Sequence, residues 1–346
     1  MNSSRFVALI LLLPLIAICG CEGDAGPAGP AGATGATGDD GANGSTSCLE
    51  CHNTDIQTAI SLQYIRSQHA YGEYVEYTGG ENRASCARCH NGAGFAEFIE
   101  TGGTDGAILS PVPIACNHCH TVHTTFEGTD YALRGTAAVP WIGDAGHGDT
   151  VGDFGDNSNV CANCHQSRRA EPNIAAPGAT FEITSTHYGP HHGAMANVLN
   201  GSLFAEIPGS TVYPTTSLHV TAGATCVTCH MGEYADGTGG HTWWPSLSSC
   251  TACHATTSFD YGGVQTEVAG LLDDLQTLLL AAGVIEFVVE DDAYEPIVGT
   301  YPMVQVQAYF NWIGLSEDRS LGVHNPRYVV ALLENSIEAM PPVPVQ

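Results

Sequence analysis

Apolar residues recur at helical spacing in only a few parts of this chain. From Val264 to Ala282, the positions Val268, Leu271, Leu272, Leu275, Leu278 and Leu279 fall on one side of a 3.6-residue period, and Gly283 supplies a stop, so a helix is expected there. Tyr328 to Glu338 has the same character, with Pro326 ahead of it, while Met303 to Trp312 reads either as a third helix or as an extended segment. The stretch from Gly143 to Asn159, rich in Gly and Asp, reads as loop. Near the start, an apolar run from Phe6 to Cys19 follows Arg5 and is interrupted by Pro14. It is too short to span a bilayer and has the place of a signal-peptide core, so residues 1–21 read as an export signal. Cys21, with Gly20 before it and Ile18 three places before it, looks like a bacterial lipoprotein cleavage site; ordinary cleavage nearby, with release, is the other reading.

A second period appears from Gly23 to Gly44, where glycine stands at every third position, with proline only at Pro27 and Pro30. This is the collagen spacing, but the tract is brief for a triple helix and reads more simply as a polar tether over residues 22–47. The remainder, residues 48–346, is then the folded body.

Composition changes the picture of that body. The 346 residues hold 36 acidic and 9 basic side chains, all nine of them arginine, for a formal charge of -27. Nucleic acid and anionic membrane are poor partners for such a chain, leaving an N-terminal lipid anchor as its contact with a membrane. A protein docked on it by electrostatics would be basic. Glycine reaches 41, histidine 16 and cysteine 14, and so many cysteines call for a metal or cofactor to occupy them.

The twelve cysteines after the tether make that occupant explicit. They form six units of one pattern: Cys48, Cys51, His52; Cys86, Cys89, His90; Cys116, Cys119, His120; Cys161, Cys164, His165; Cys226, Cys229, His230; Cys250, Cys253, His254. Two thiols three residues apart on one turn reach the two vinyl groups of one haem, and the adjacent histidine lies beneath the iron. A single such unit would be ambiguous with zinc and thiol-redox sites, but six without exception point to six covalently bound c-type haems. The expected fold is a multihaem cytochrome c, haem-centred and loop-rich, with short α-helices and very little β. Its core would be largely porphyrin, and its haems closely packed because so little chain is available to separate them.

Ten histidines lie outside the closing position of a unit, and each iron needs a sixth ligand or an open site. His69, His123, His187, His192, His219, His241 and His324 are the candidate distal ligands, seven for six irons. Adjacent side chains diverge, so one of His191 and His192 is expected to ligate along with His187, and His192 is the one taken. His118, inside the third unit's loop, reads as structural or solvated, and His147 is a weaker candidate in an acidic loop.

Several of these segments carry a resemblance. Cys161, Cys164 and His165 with Gln166, Ser167 and Arg168; His187 through His192; Cys226, Cys229, His230 and Met231; Gly239 through Thr242; Cys119, His120 and His123 with Thr129 through Arg134; and Glu317 through Tyr328 together resemble the multihaem c-type cytochromes exported by metal-reducing bacteria. That group includes six-haem cytochromes that polymerise into outer-surface filaments. The likeness covers roughly residues 48–340 and implies a chain of stacked bis-histidine haems that carries electrons across the envelope, at the outer membrane, the cell surface or in the periplasm. The implied partners are redox proteins, an extracellular electron acceptor and, for a filament subunit, further copies of the chain. The collagen-like tether departs from the family, and a lipid anchor is awkward for a filament subunit. The His324-Asn325-Pro326 ending is shared in part with ammonia-forming nitrite reductases, but their active haem uses a lysine and this chain has none. The alternative to an electron carrier is a reductase with one open-coordination haem acting on a small molecule or metal ion; no Ser, His and Asp arrangement or carboxylate pair points to a second chemistry.

Overall fold

The computed structural model describes residues 54–72, 75–79, 83–104, 106–121, 132–144, 150–172, 179–232 and 237–342. The export signal, the tether, Cys21, the first unit (Cys48, Cys51, His52), His123 and His147 lie outside the described residues. In chain order the helices are α1 (Thr54–Tyr64), α2 (Ala84–His90), α3 (Gly92–Thr101), α4 (Cys116–Cys119), α5 (Ser158–Ala162), α6 (Met195–Asn200), α7 (Leu218–Thr221), α8 (Cys226–His230), α9 (Leu247–Thr251), α10 (Val264–Ala281), α11 (Met303–Asp318) and α12 (Pro326–Ala339). The strands are β1 (Val139–Pro140), β2 (Val151–Gly152), β3 (Thr180–Ile183), β4 (Ile285–Val288), β5 (Ala293–Pro296) and β6 (Gly299–Pro302). They pair antiparallel into three two-stranded sheets, β1 with β2, β3 with β6 and β4 with β5.

The long helices stand at the C-terminal end, where periodicity places them. Asp260 opens α10 by accepting the Gln265 and Thr266 N–H groups at Oδ1 (2.7 and 3.3 Å) and the Thr266 hydroxyl at Oδ2, and Gly283 closes it at φ 68°. Pro326 enters α12 at its first turn, where no intrahelical N–H is required. The segment from Met303 is helical through Asp318. Val268, Leu272, Leu275 and Leu279 of α10, spaced at 4, 3 and 4 residues, pack with Tyr309, Phe310, Trp312 and Leu315 of α11 and Val329, Leu332 and Leu333 of α12. The body therefore contains an ordinary helical core beside its cysteine-rich part. Beside a core expected to be largely porphyrin, α10 to α12 bury enough apolar side chain to pack on one another without a cofactor.

A smaller cluster of Val139, Trp141, Phe154, Ala162, Ala196 and Leu199 lies against the fourth unit. It also explains why the stretch from Gly143 is not simply loop. Trp141 donates its N–H to the Thr150 carbonyl at 3.0 Å and lays its ring over β2, where a Cβ on Gly152 would stand 2.1 Å from a ring carbon. The segment accordingly holds a 3-10 turn at Ile142–Asp144, β2 and the first turn of α5.

Two buried amides pin the loop after α6 to the helical layer. Asn311 accepts the Ala205 N–H and donates to its carbonyl, both at 2.8 Å, and Asn335 does the same for Thr211 at 3.0 and 2.8 Å. Replacing Asn311 by Leu orphans the buried Ala205 N–H and leaves its carbonyl only the Ile207 N–H, and is expected to lower the unfolding free energy by about 2–4 kcal/mol, read from denaturant midpoints of the haem-loaded chain.

Candidate haem sites

Each described unit begins with one helical turn. The closing histidine N–H bonds the carbonyl of the unit's first cysteine in the third, fourth and sixth units, His120 to Cys116 (2.8 Å), His165 to Cys161 (3.0 Å) and His254 to Cys250 (2.8 Å). In the second and fifth units α2 and α8 carry the same residues inside the helix. First cysteine and histidine are thus four apart and share a face. All fifteen Cys and His residues of these five units line one cavity of about 3360 Å³. A cleft for one drug-sized ligand spans roughly 300–1,000 Å³, so this space suits several large groups.

Across that cavity the imidazoles come in pairs. Ring centroids stand 6.2 Å apart for His69 and His165, 6.0 Å for His90 and His191, 6.4 Å for His120 and His241, 6.3 Å for His219 and His254, and 6.4 Å for His230 and His324. Two imidazoles on opposite sides of one metal, with bonds of about 2 Å and about 1.1 Å more from ring nitrogen to centroid, stand roughly 6.3 Å apart. Each pair joins one unit histidine to one from elsewhere in the chain. The interplanar angles run from 37° to 81°, as rings free to rotate about a shared axis allow.

Local structure explains each outside partner. His69 sits in the 3-10 turn Gln68–Ala70 with the Trp243 ring 4.6 Å behind it. His241 lies in Gly240–Thr242, its N–H bonded to Gln63 Oε1 of α1 at 2.9 Å. His219 is on α7, capped by Ser217, and its Nδ1 meets the His324 carbonyl at 3.2 Å. His324 follows α11, with Nδ1 2.7 Å from Asp318 Oδ1. His230 has its Nδ1 on the Trp243 carbonyl at 2.8 Å.

In the doublet the ring that faces a unit histidine is not the one the sequence reading prefers. His191, not His192, faces His90, because its backbone takes φ 78°, a left-handed conformation that few non-glycine residues adopt. The preceding Pro190 carbonyl is held by the Arg168 N–H and the Ser167 hydroxyl. His192 turns outward to an ion pair with Glu317 at 2.6 Å, which raises its pKa against the opposing effect of burial. His187 is exposed at the cavity lining and, among the described residues, faces none of the five unit histidines. His118 is buried, and its Nδ1 accepts the Ala115 N–H at 2.9 Å at the start of α4.

The electrostatics suit ligation by neutral nitrogen. Burial, reinforced by neighbouring positive charge, pushes His165 down to about 4 and His191 to about 3, and burial lowers His69, His90 and His230. His324 is the exception: burial pulls it down, but Asp318 raises it overall.

Arginines 83, 88, 168, 169, 319 and 327 also line the cavity. Arg88 lies over the Phe98 ring, and its Nε is buried without a hydrogen-bond partner. Such an orphan donor fits a carboxylate brought by a cofactor, as a haem propionate would be. Ring spacing, thiol placement and this unpaired donor all fit haem.

Neighbouring units lie against one another. Cys89 Sγ reaches the Asn163 carbonyl of the fourth unit at 3.9 Å, and Cys164 Sγ reaches the Arg88 carbonyl of the second at 3.6 Å. Asn163, inside the fourth unit, donates to the Gly135 carbonyl at 3.0 Å, next to Arg134, whose N–H bonds the Cys119 carbonyl of the third unit at 2.8 Å, and α8 of the fifth unit packs on α9 of the sixth. The fourth unit is therefore a junction for the second, third and fifth, and the sixth follows the fifth. The fourth-to-fifth contact is stitched by Asp156, which accepts the Ser158 N–H (2.8 Å) and the Thr225 hydroxyl (2.6 Å), and by Ser158 Oγ, which accepts the Val227 N–H (3.1 Å).

No family model matches the sequence, and no curated protein matches it. Among solved structures, the chain is similar to the outer cell wall cytochrome OcwA, with a TM-score of 0.51 and 20% identity over 81% of this chain and 50% of that one. It also aligns with an undecahaem cytochrome from the S-layer of Carboxydothermus ferrireducens, at TM-score 0.37 and 19% identity over 87% of this chain and 39% of that one. The chain thus spans about half the length of OcwA, and the likeness shows a multihaem-cytochrome-like fold.

The stitch between units generates a test. Asp156→Ala removes a turn-capping acceptor and a half-buried side-chain bond together, and is expected to cost about 1–2 kcal/mol in thermal or denaturant unfolding, with Asp156→Asn recovering part of it.

Proposed function

We propose that this chain is an electron carrier of the cell envelope or exterior that holds six covalent c-type haems, each closed by two histidines. The observation that carries the reading is the set of five imidazole pairs at 6.0 to 6.4 Å across a cavity walled by the paired thiols. Bound haem supplies one-electron ferric/ferrous chemistry. The chain's own residues do the rest. His165 with His69, His90 with His191, His120 with His241, His230 with His324 and His254 with His219 would fill both faces of five irons and leave no position for substrate. Arg88 and its fellow lining arginines would balance propionate charge. Because neighbouring units lie against one another, little protein would separate the groups they hold, the condition for rapid electron exchange along the second, fourth, fifth and sixth units with the third beside the fourth.

The first unit stands outside the described residues, and His187, His123 and His147 are the histidines offered for its iron. Redox partner proteins, basic where they dock, would bring electrons, and an extracellular acceptor would take them. The exposed ends of such a relay also suit head-to-tail contact with a second copy, so that the chain serves as a filament subunit. Cys21, made the terminus by cleavage before it, would supply a lipid anchor for a surface-bound form.

The ligand set is tested by replacement. Mass spectrometry of mature protein is expected to show six covalent haems, and the oxidised protein to be wholly low spin with little carbon monoxide binding after reduction. His191→Met should alter one haem in the electron paramagnetic resonance spectrum, whereas His192→Met should alter none. A stoichiometric high-spin haem with rapid ligand uptake would instead establish the reductase reading.

Docking follows from charge. Association with a basic redox partner is expected to slow severalfold between low and moderate ionic strength, because screening weakens steering by the acidic surface. A stopped-flow rate indifferent to salt would show that docking is not charge-driven.

A further inference from the structure

The ring nitrogens that face away from the cavity have different partners. His219 and His230 each present Nδ1 to a backbone carbonyl, at 3.2 and 2.8 Å. His324 instead presents Nδ1 to the Asp318 carboxylate at 2.7 Å. Asp318 closes α11, its side chain is 1% exposed, and its second oxygen accepts the Ser320 hydroxyl. The carboxylate is therefore held in place by the helical core, away from water, where its field is strong.

We infer that Asp318, acting through His324, holds the iron of the fifth unit at a lower potential than a neutral hydrogen-bond partner would. This rests on the reading of His324 as an axial ligand. A carboxylate accepting the Nδ1 proton shifts electron density onto the imidazole, so that the opposite nitrogen donates more strongly and the ferric state is favoured. The couple remains one electron at iron, with the proton staying on His324 Nδ1. Asp318 is thus a positioning and tuning residue. Because the fifth unit lies between the fourth and the sixth, its potential sets the step that joins the sixth to the rest. Ser320 has the opposite sense, since its hydroxyl competes with His324 for the charge on Asp318.

The test is a spectroelectrochemical titration of the full haem-loaded chain at neutral pH. Asp318→Asn is expected to move about one sixth of the haem absorbance change to higher potential, by tenfold or more in the ferrous/ferric ratio at fixed potential, about 59 mV for a one-electron couple. Ser320→Ala should move the same fraction the other way, and the remaining haems should titrate as in the wild type. If Asp318→Asn keeps six low-spin haems but titrates like the wild type, the inference is overturned. If Asp318→Asn does not fold, Ser320→Ala decides: a downward shift supports the inference, and no shift or an upward one rejects it. His324→Met separates the two levels of the argument. An unchanged spectrum there removes the ligand assignment itself, whereas a single altered haem alongside an unresponsive Asp318→Asn removes only the role of Asp318.

Discussion

A span of about 6 Å between facing imidazoles, with two thiols beside one of them, is the constraint on which the arrangement of this chain depends. Helices of four or five residues, such as α4, α8 and α9, do not stand alone in water. They persist because one turn places the first cysteine and the closing histidine on the same face. Every outside imidazole comes from a segment remote from its partner: His69 from the turn after α1, His241 from a 3-10 turn, His324 from the end of the helical layer. A group bound between such partners closes long loops, so its binding and the folding of these segments are one equilibrium.

The helical layer has a different footing. Layer α10–α12 buries aliphatic and aromatic side chains that need no cofactor, and Asn311 and Asn335 extend its order into the loop before α7. From that firm side the chain presents Asp318 and His324 together. A histidine carried by an otherwise irregular loop could swing; His324 cannot easily do so, being bonded to a carboxylate fixed by a buried helix. The layer thus fixes the coordinates of one side of the cavity, while the short turns of the units form the other.

Much of this is legible in the sequence, and what is not has definite causes. The six Cys-x-x-Cys-His units and the helices at Val264 and Tyr328 are local patterns, readable because thiol spacing and apolar period each depend on a few neighbouring residues. The matching of His165 to His69 or His120 to His241 is a tertiary fact with no local signature. The choice of His191 over His192 turns on a single backbone dihedral, for which Pro190 and Gly193 on either side were the available hint. Met303 to Trp312 is buried on nearly all sides, and periodicity alone does not separate such a helix from a strand, so the full helical core is not legible in the sequence. Two-residue strands such as β1 and β2 leave no alternation to read; their pairing depends on Trp141 closing over Gly152.

The placement of positive charge adds a last step. Six of nine arginines line the cavity, where carboxylates brought by cofactors would meet them, and Arg134 is paired with Glu100. The cations are thus gathered around one cavity, five of the six exposed, and the surface away from it carries mainly acidic side chains. Two associations proposed for the chain then respond to salt in opposite senses. Screening weakens the attraction of a basic redox partner, yet relieves the repulsion between like copies that an end-to-end contact must overcome. The same acidic surface that would favour exchange with a soluble partner at low ionic strength would therefore oppose filament growth there, and the balance between the two proposed associations would be set by the ions around the protein as much as by the shape of its ends.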